Sequence, residues 1–352
     1  MENIFKKITQ KKNKDVTIIV EISANHQNSY KKLEKFINNI VKNKIDIVKF
    51  QVYKPETITI KSNKKDFKIP KDNPWSKHLN LFDLYGQAHT PWNWIEKLTK
   101  ILNKKKINWF ASVFDETSIK FLENLDCKAY KIASPEINDI NLIRAVGKTK
   151  KPVFFSTGMA TINDIVIAVK TIKKFHNNFA ILKCTSKYPT KLNELNLGSI
   201  NYLKKKFKCA VGFSDHTIGS AGAIAAVLNG ATIVEKHFKL DNDKKSVDQH
   251  FSMNLSDYKN FKHNLSNIRY SLGKNNEKAF ILDKKIFNTR RSIYVSSEIK
   301  KGEFFLDSNI KSVRPGFSLE PKYLNNFINK RSRINLKIGS RLKLNFIKKI
   351  GK

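Results

Sequence analysis

Two histidines occupy equivalent positions at the ends of apolar segments. His216 closes Ser-Asp-His (214–216), and His237 closes Glu-Lys-His (235–237). If the two segments are neighbouring strands, their imidazoles can share one divalent ion, with water or a carboxylate such as Glu21 completing the shell. An open position on such an ion polarises a carbonyl group as a Lewis acid. We therefore interpret this histidine pair as a metal site.

Lysines inside apolar segments indicate a pocket for an anion. Lys49 lies in Ile-Val-Lys-Phe-Gln and Lys131 in Ala-Tyr-Lys-Ile-Ala, which is not the pattern of a surface strand. Buried charge is costly unless it is paired or used. With nearby hydroxyl groups, two ammonium groups suit a compact anion that carries phosphate and carboxylate. The hydroxyl groups are those of Ser112, Ser134 and Ser156, and Ser-Thr-Gly (156–158) fits a turn that approaches phosphate.

Two other residues have alternative interpretations. Glu136 could move protons or orient water, or it could be an ordinary surface carboxylate. Cys184 could be reactive, although a buried inert thiol is favoured. The chain has three cysteines and no Cys-x-x-Cys pair, which indicates neither a disulfide framework nor a zinc ribbon. A reducing, cytoplasmic location is the simplest expectation.

A scaffold must bring these scattered residues together. Eight short apolar segments alternate with stretches whose apolar residues recur at spacings of three and four, as in amphipathic helices. The segments are Thr17–Ser23, Ile45–Gln51, Ile107–Val113, Lys128–Ala133, Pro152–Thr157, Phe179–Thr185, Cys209–Asp215 and Ala231–His237. This alternation predicts an α/β fold, a (β/α)8 TIM barrel, because eight units match a closed barrel better than an open sheet. Its C-terminal rim would collect the polar residues.

The rest of the chain is divided by composition. We expect a loose basic lead-in over 1–15, the barrel over 16–272, a polar linker over 273–287 and a small β-rich domain over 288–352. Between the second and third strands, the Pro-, Trp- and Asn-containing insertion from Tyr53 to Trp94 is too long for a plain loop and is expected to cover the rim.

The formal charge is +37, from 67 Lys and Arg against 30 Asp and Glu. The lysines are scattered along the chain and no nucleic-acid-binding motif accompanies them, so a specific nucleic-acid partner is not expected. The excess should instead steer a small anionic substrate toward the protein. No apolar run approaches the roughly 18 residues that a membrane-spanning helix needs, and the basic start lacks the apolar region of a signal peptide. No membrane partner is expected.

Seven stretches, in order and at barrel-compatible spacing, resemble the sialic acid synthase family, the phosphoenolpyruvate-dependent synthases of nine-carbon sugar acids. They are Glu-Ile-Ser-Ala-Asn-His (21–26), Val-Lys-Phe-Gln (48–51), Ala-Tyr-Lys-Ile-Ala-Ser (129–134), Ser-Thr-Gly-Met-Ala-Thr (156–161), Lys-Cys-Thr-Ser-Lys-Tyr-Pro-Thr (183–190), Gly-Phe-Ser-Asp-His-Thr (212–217) and Glu-Lys-His-Phe (235–238). The later stretches Arg-Ser-Ile-Tyr (291–294) and Val-Arg-Pro-Gly (313–316) resemble the family's antifreeze-like (SAF) domain.

The resemblance implies a reaction and a set of roles. C3 of phosphoenolpyruvate attacks the metal-bound aldehyde of an open-chain sugar, water adds at C2, and phosphate leaves by C–O cleavage. The implied ion is Mn²⁺, with Mg²⁺ or Co²⁺ as alternatives, on His216 and His237, and the catalytic set also includes Glu21 and Glu136. Phosphoenolpyruvate would be held by Lys49, Ser112, Lys131, Ser134, Ser156, Ser186 and Ser214, and the sugar would face Gln51, Glu136, Tyr188 and Asp248. Arg314 of the partner subunit would reach the sugar, because the family forms domain-swapped homodimers.

The first stretch and the insertion look most like the pseudaminic acid synthase branch. This implies 2,4-diacetamido-2,4,6-trideoxy-L-altrose as the acetamido sugar, with N-acetylneuraminate or legionaminate synthesis as the alternative. Asn28 stands where the family commonly has glycine, and asparagine accepts a left-handed backbone. Asn329 also replaces a frequent glycine, and the sequence 247–250 departs from the usual Gly-Pro-Asp.

Other functions remain open from the residues alone. An aldolase would need one lysine with a depressed pKa for Schiff-base formation. A non-catalytic barrel that binds a sugar or nucleic acid is the more distant alternative, and the combination of two lysines with two histidines argues against it.

Overall fold

Eight parallel strands form a closed barrel in residues 1–272, the first of two compact units. The structure, a computed structural model, describes residues 4–10, 16–71, 73–273 and 289–347. The strands are β1 (Thr17–Glu21), β2 (Ile47–Val52), β3 (Asn108–Val113), β4 (Tyr130–Ile132), β5 (Val153–Ser156), β6 (Phe179–Cys184), β7 (Ala210–Asp215) and β8 (Ile233–Lys239). Each strand pairs with the next, and β1 also pairs with β8, which closes the barrel. The predicted (β/α)8 fold is therefore confirmed.

Amphipathic helices surround the strands. They are α1 (Ile4–Thr9), α2 (Tyr30–Lys42), α3 (Pro55–Ile58), α4 (Leu81–Ala88), α5 (Trp92–Lys104), α6 (Glu116–Asn124), α7 (Ile140–Lys148), α8 (Ile162–Lys173), α9 (Ser199–Phe207), α10 (Ala221–Leu228) and α11 (Tyr258–Ser271). In α2 the residues Leu33, Phe36, Ile37 and Ile40 are all buried, as their helical spacing predicts. Local capping sets the helix starts: the Thr161 side chain accepts from the backbone N–H of Asp164 at the start of α8.

The first helix differs from the loose lead-in that the sequence analysis expects. Phe5 in α1 is only 1% exposed, and its ring lies 5.2 Å from that of Phe110 and 6.4 Å from that of Phe154. Ile8 is buried as well. Residues 4–9 therefore belong to the barrel core, whereas residues 1–3 and 11–15 of the expected lead-in lie outside the described residues.

The insertion after β2 is an ordered cover and not an open loop. It contains α3, a short 3₁₀ turn (Lys65–Phe67) and α4, and the Asn80 side chain caps α4 by accepting from the N–H of Asp83 at 3.0 Å. The Trp75 indole donates to the Val247 carbonyl at 3.0 Å, which ties the insertion to the loop after β8. That loop ends in the short strand β9 (Met253–Asn254), which pairs with β8.

Residues 273–352 form the second compact unit. Strands β10 (Ser292–Val295) and β11 (Ile310–Val313) pair antiparallel, and isolated bridges join other segments, including Phe305 to Ile328. Its own apolar core includes Ile293 and Phe327, both fully buried. Of the expected linker, only residue 273 is described; residues 274–287 lie outside the described residues.

The two asparagines that replace family glycines both have a left-handed backbone. Asn28 has a φ of 47° and Asn329 a φ of 61°. Asparagine accepts this region more readily than most other residues with a side chain, so both turns keep a conformation that suits glycine. The expectation for Asn28 is confirmed.

The described helices include none that combines the length and the apolar character needed to cross a membrane.

Candidate functional site

A cavity of about 490 Å³ opens at the C-terminal rim of the barrel. Its lining includes residues from the ends of β2 to β8 and from the insertion. Of the residues singled out from the sequence, those that line it are Lys49, Gln51, Ser112, Lys131, Ser134, Glu136, Ser156, Cys184, Tyr188, Ser214, His216, His237 and Asp248. Residues up to 199 positions apart in the chain (49 to 248) therefore meet in one space, as the barrel prediction requires.

Two buried lysines and the carboxylate of Glu235 form the floor of this cavity, and the buried carboxylate of Glu21 pairs with one of the lysines. Lys49 is paired with Glu21, and its Nζ also lies 3.7 Å from Glu235 Oε2. Lys131 donates to both oxygens of Glu235, at 2.7 and 2.9 Å. All four side chains are at most 5% exposed. The charges balance, so the free protein does not bury an unpaired ion here.

The pKa values of Glu235, Lys49 and Lys131 are shifted by burial and by the neighbouring charges. Burial alone would raise the pKa of Glu235, but Lys131 and Lys49 outweigh it and lower that pKa to about 2. Burial opposes the charge of Lys49, but Glu21 and Glu235 raise its pKa above the ordinary value. The pKa of Lys131 is lowered, because burial and the neighbouring Lys49 outweigh the attraction of Glu235. Glu235 is thus a fixed negative charge shared by two cations.

Hydroxyl groups surround the floor, and they differ in their partners. Ser112 Oγ accepts from Lys49 at 2.9 Å, and Ser214 Oγ donates to Glu235 at 2.8 Å. Ser134 Oγ accepts from the N–H of Gly158 at 2.9 Å. Ser156 Oγ, in contrast, is buried and has no hydrogen-bond partner among the described residues. A buried, unpartnered hydroxyl at the end of a strand indicates a position that a ligand completes.

The two imidazoles lie side by side at the ends of β7 and β8, with ring centroids 5.4 Å apart. His216 Nδ1 lies 3.0 Å from the Thr185 carbonyl oxygen and therefore carries the proton, which leaves Nε2 free to act as a ligand. His237 Nδ1 is buried without a hydrogen-bond partner, 3.6 Å from Asp248 Oδ2. The positions of both rings fit a role as nitrogen ligands of one ion.

Glu21 does not take the position expected of a carboxylate that completes the shell of an ion on the two imidazoles. Its side chain is bound to Lys49 and to the N–H of Ser23 at 2.7 Å, and it does not line the cavity. Within the described chain, no cluster of three or more His, Cys, Asp or Glu side chains is arranged to hold a metal. The donor set therefore fits an ion held by two imidazoles, with its other positions left to water and substrate.

A second ion pair lies directly behind the imidazoles. Asp215 and Lys236 precede His216 and His237, are register partners across β7 and β8, and form a salt bridge of 2.8 Å with fully buried side chains. Lys236 also donates to the Thr217 carbonyl at 2.8 Å. Because side chains alternate along a strand, this pair faces away from the cavity while the imidazoles face into it.

Glu136 lies beside the insertion in the same cavity. Burial raises the pKa of its carboxyl group to about 7, and its Oε2 atom has no hydrogen-bond partner among the described residues. Burial, followed by the Glu136 charge, raises the pKa of the Tyr85 phenol, which places this tyrosine of α4 near the carboxylate. A carboxyl group that titrates near neutral pH can both accept and donate a proton.

Three predicted residues lie outside the cavity lining. Glu21 contacts the lining through Lys49 and through the N–H of Ser23. Ser186 lies behind the turn after β5, where a Cβ on Gly158 would come 2.2 Å from its Oγ. Arg314 is exposed on the second unit, directly after β11. Within the first unit, the structure therefore brings together the predicted residues other than Glu21 and Ser186, whereas Arg314 belongs to the second unit.

Two features of the site were not predicted. Glu235 is recognisable in the sequence only as a polar strand-end residue, and its role as shared partner of both lysines depends on barrel geometry. The insertion supplies an apolar wall, defined as Ile58, Ile69, Pro70, Leu81 and Leu84. Its length predicts a cover, but nothing in the sequence indicates which of its apolar residues face the cavity.

Comparison with known proteins agrees with this geometry. Residues 36–277 match the NeuB family. The chain is 39% identical to a pseudaminic acid synthase of Campylobacter jejuni, covering 94% of this chain and 96% of that protein. It is 31% identical to an N,N'-diacetyllegionaminic acid synthase of the same species, covering 92% and 98%.

A solved structure also matches almost end to end. The spore coat polysaccharide biosynthesis protein SpsE of Bacillus subtilis is 28% identical, covers 95% of each chain and superposes with a TM-score of 0.63. The family match spans more than half of the chain, and the barrel, the paired lysines and the paired imidazoles are all present. The chain therefore belongs to the NeuB family of sialic acid synthases and is a nonulosonic acid synthase.

Proposed function

We propose that this enzyme condenses phosphoenolpyruvate with 2,4-diacetamido-2,4,6-trideoxy-L-altrose and water to give pseudaminic acid and phosphate. The observation that carries the proposal is that two lysines, two imidazoles and a carboxyl group with a pKa of about 7 line the same cavity. These groups are the ones that an anionic three-carbon nucleophile and an aldehyde would need side by side.

Phosphoenolpyruvate would occupy the floor. Lys49 and Lys131 would attract its phosphate and carboxylate, and hydroxyl groups would complete the hydrogen bonds. The proposed hydroxyl donors are Ser112, Ser134, Ser156, Ser186 and Ser214. The unpartnered Ser156 Oγ supports this placement, because a bound anion would satisfy it.

His216 and His237 would hold a divalent ion, most suitably Mn²⁺, with Mg²⁺ or Co²⁺ as alternatives. When bound, the ion would supply Lewis-acid polarisation of the sugar aldehyde. The imidazoles themselves would position the aldehyde carbon over C3 of phosphoenolpyruvate, so that the new C–C bond forms between these two atoms. The unpartnered His237 Nδ1 supports a ligand at this position.

Glu136 would accept the proton that is released when water adds to C2 of phosphoenolpyruvate. Water adds to C2, the C2–O bond to phosphate breaks, and the proton of the water must be accepted. A buried carboxylate whose pKa is about 7 can accept that proton at neutral pH. Glu21 would act by holding Lys49 in place, since its carboxylate is bound to that lysine.

The sugar would lie between the imidazoles and the insertion. Gln51, Tyr188 and Asp248 line that side of the cavity and would hydrogen-bond its hydroxyl and acetamido groups. Arg314 of the partner subunit would reach the sugar from the antifreeze-like (SAF) domain in a domain-swapped homodimer. Its exposed position on a separate unit supports such a role.

Sequence similarity favours the altrose substrate. Identity is 39% to the Campylobacter jejuni pseudaminic acid synthase and 31% to the legionaminic acid synthase of that species. We place the enzyme in the cytoplasm. Its three cysteines, all in the described part of the chain, are buried and none forms a disulfide, which suits a reducing compartment.

The test is phosphate release from phosphoenolpyruvate in the presence of Mn²⁺. The acceptors to compare are the diacetamido-trideoxy-altrose, its manno-configured legionaminate counterpart and N-acetylmannosamine. Turnover with the altrose alone supports the full proposal, and turnover with only another sugar moves the enzyme to that branch. His216→Ala is expected to abolish turnover; near-wild-type activity of this variant without added metal would contradict the metal assignment.

A further inference from the structure

One side of the cavity is formed by the apolar wall. Ile58, Ile69, Pro70, Leu81 and Leu84 line the same cavity as the lysines and imidazoles. None of these side chains can donate or accept a hydrogen bond. Ile58 and Leu81 are only partly buried in the free protein. Part of their apolar surface is therefore available to a ligand.

The wall is held in place by hydrogen bonds on both sides. Asn80 caps α4 and also donates to Asn63 Oδ1 at 3.1 Å within the insertion. Trp75 donates to Val247, and Trp92 donates to the Tyr53 carbonyl at 3.3 Å. The wall is thus built on anchored elements, so its shape can discriminate between ligands.

An apolar surface distinguishes a methyl group from a hydroxymethyl group. A hydroxyl placed against it loses its hydrogen bonds to water without replacement, whereas a methyl group gains from burial. In the proposed reaction the aldehyde end of the sugar lies at the imidazoles, so the opposite end of the open chain, which carries C6, is available to contact the wall. Tyr85 on α4 and Glu136 both line this cavity, so α4 brings the wall and a proposed catalytic group into the same space.

We infer that the apolar wall binds the C6 methyl group of a 6-deoxy sugar and discriminates against sugars that carry a hydroxyl at C6. This inference rests on the proposed function and names the residues that would set its preference for a 6-deoxy sugar. It separates 6-deoxy acceptors from N-acetylmannosamine, and it does not depend on the configuration of the remaining carbons.

The chain offers two matched pairs of variants. Ile58→Thr and Leu81→Ser place a hydroxyl in the wall. Ile60→Thr and Leu79→Ser make the same changes two residues away, at positions that are 67% and 82% exposed and do not line the cavity. The measurement is kcat/KM for the diacetamido 6-deoxy sugar divided by kcat/KM for its 6-hydroxy counterpart of the same configuration.

Wild type is expected to prefer the 6-deoxy sugar by about 10-fold or more, and each wall variant is expected to reduce that preference by about fivefold to tenfold. The two control variants should retain the wild-type ratio. A wild-type ratio near one, or a ratio unchanged in both wall variants, would overturn the inference.

Binding of the corresponding alditols separates this inference from the proposed reaction. The alditols lack the aldehyde and cannot react, so calorimetric titration measures binding without turnover, and the difference in affinity between the 6-deoxy and 6-hydroxy alditols reports the contact at C6. If no sugar is turned over but the 6-deoxy alditol binds more tightly, and only the wall variants lose that difference, the reaction is wrong and the wall assignment stands. Equal affinities of wild type for the two alditols contradict the wall assignment whatever the reaction.

Discussion

Individual hydroxyl groups in the cavity differ in what they do before a ligand arrives. Ser112 accepts a hydrogen bond from the buried Lys49, so it already stabilises the free protein. Ser156 has no partner, so its burial costs free energy in the absence of ligand. Both serines are at most 2% exposed, but removing their hydroxyl groups is therefore expected to affect stability differently.

Ser156→Ala is expected to leave the free energy of unfolding unchanged or slightly higher, and to weaken phosphoenolpyruvate binding about 10-fold. Ser112→Ala should lower the free energy of unfolding by about 1–2 kcal/mol, because Lys49 loses an acceptor. Denaturant unfolding and a phosphoenolpyruvate titration measure the two quantities. A clear loss of stability in Ser156→Ala would show that its hydroxyl is structural.

The titration of Glu136 is expected to make the free energy of unfolding depend on pH. Its pKa rises from an ordinary 4.5 to about 7, so the folded state keeps a proton that the unfolded state releases between these values. Stability therefore falls as the pH rises through this window and is constant above it. The free energy of unfolding of Glu136→Gln should exceed that of wild type by about 3 kcal/mol at pH 8 and should not differ from it at pH 4.

The control for this experiment is Glu34→Gln, an exposed position on α2. It should not change the difference in stability between pH 4 and pH 8. An equal effect of Glu136→Gln at both pH values would exclude titration of Glu136 as the cause.

At the scale of elements, the turn after β5 requires glycine at position 158, because a side chain there would collide with its neighbours. A Cβ on Gly158 would come 2.2 Å from Ser186 Oγ, 2.9 Å from Ser134 Oγ and 3.0 Å from Cys184 Sγ. The serines and the turn must then move apart. Gly158→Ala is expected to cost about 1–3 kcal/mol of unfolding free energy and to weaken phosphoenolpyruvate binding.

Gly198 provides the comparison for this turn. A Cβ there would meet nothing within 4 Å, and its φ of −54° suits any residue. Gly198→Ala should therefore leave both stability and binding unchanged. Similar losses in the two variants would mean that the glycine effect is general and not a property of this turn.

Helix ends show why element boundaries are harder to predict than elements. Strand and helix existence follows from apolar spacing, and all eight predicted strands are present. Glycine commonly marks the residue after a helix, but here Lys44, Lys106, Asp126 and Lys150 occupy that position with φ values of 50° to 59°. In this lysine-rich sequence, glycine therefore does not mark the ends of these four helices. The same composition makes α1, with Phe5 inside the barrel, resemble an unstructured basic start.

At the scale of the whole molecule, the charge of +37 should act on encounter with substrate. Raising the ionic strength from about 0.01 M to about 0.5 M is expected to lower kcat/KM for phosphoenolpyruvate about 10-fold. kcat and the KM of the uncharged sugar should change little, since they do not depend on long-range attraction. Steady-state kinetics across a salt series provide the measurement, and a salt-independent kcat/KM would exclude steering.

The barrel also explains how much of the site was predictable. Strand ends meet at one rim whatever the details of packing, so Lys49, Lys131, His216 and His237 could be grouped from sequence. The shared pairing of Glu235 and the orientation of Leu81 depend on side-chain packing across distant segments. Arg314 belongs to a separate unit, so barrel geometry makes no prediction for its position.

The buried Asp215–Lys236 pair favours one register of β8 against β7. These residues alternate with His216 and His237 along two adjacent strands. A slip of β8 by one residue against β7 would separate the ion pair and also turn one imidazole out of the cavity. The incorrect register would thus bury two unmatched charges, at a cost of several kcal/mol each. Asp215 and Lys236 therefore favour the register that places the two histidines together, because only that register also pairs the two buried charges.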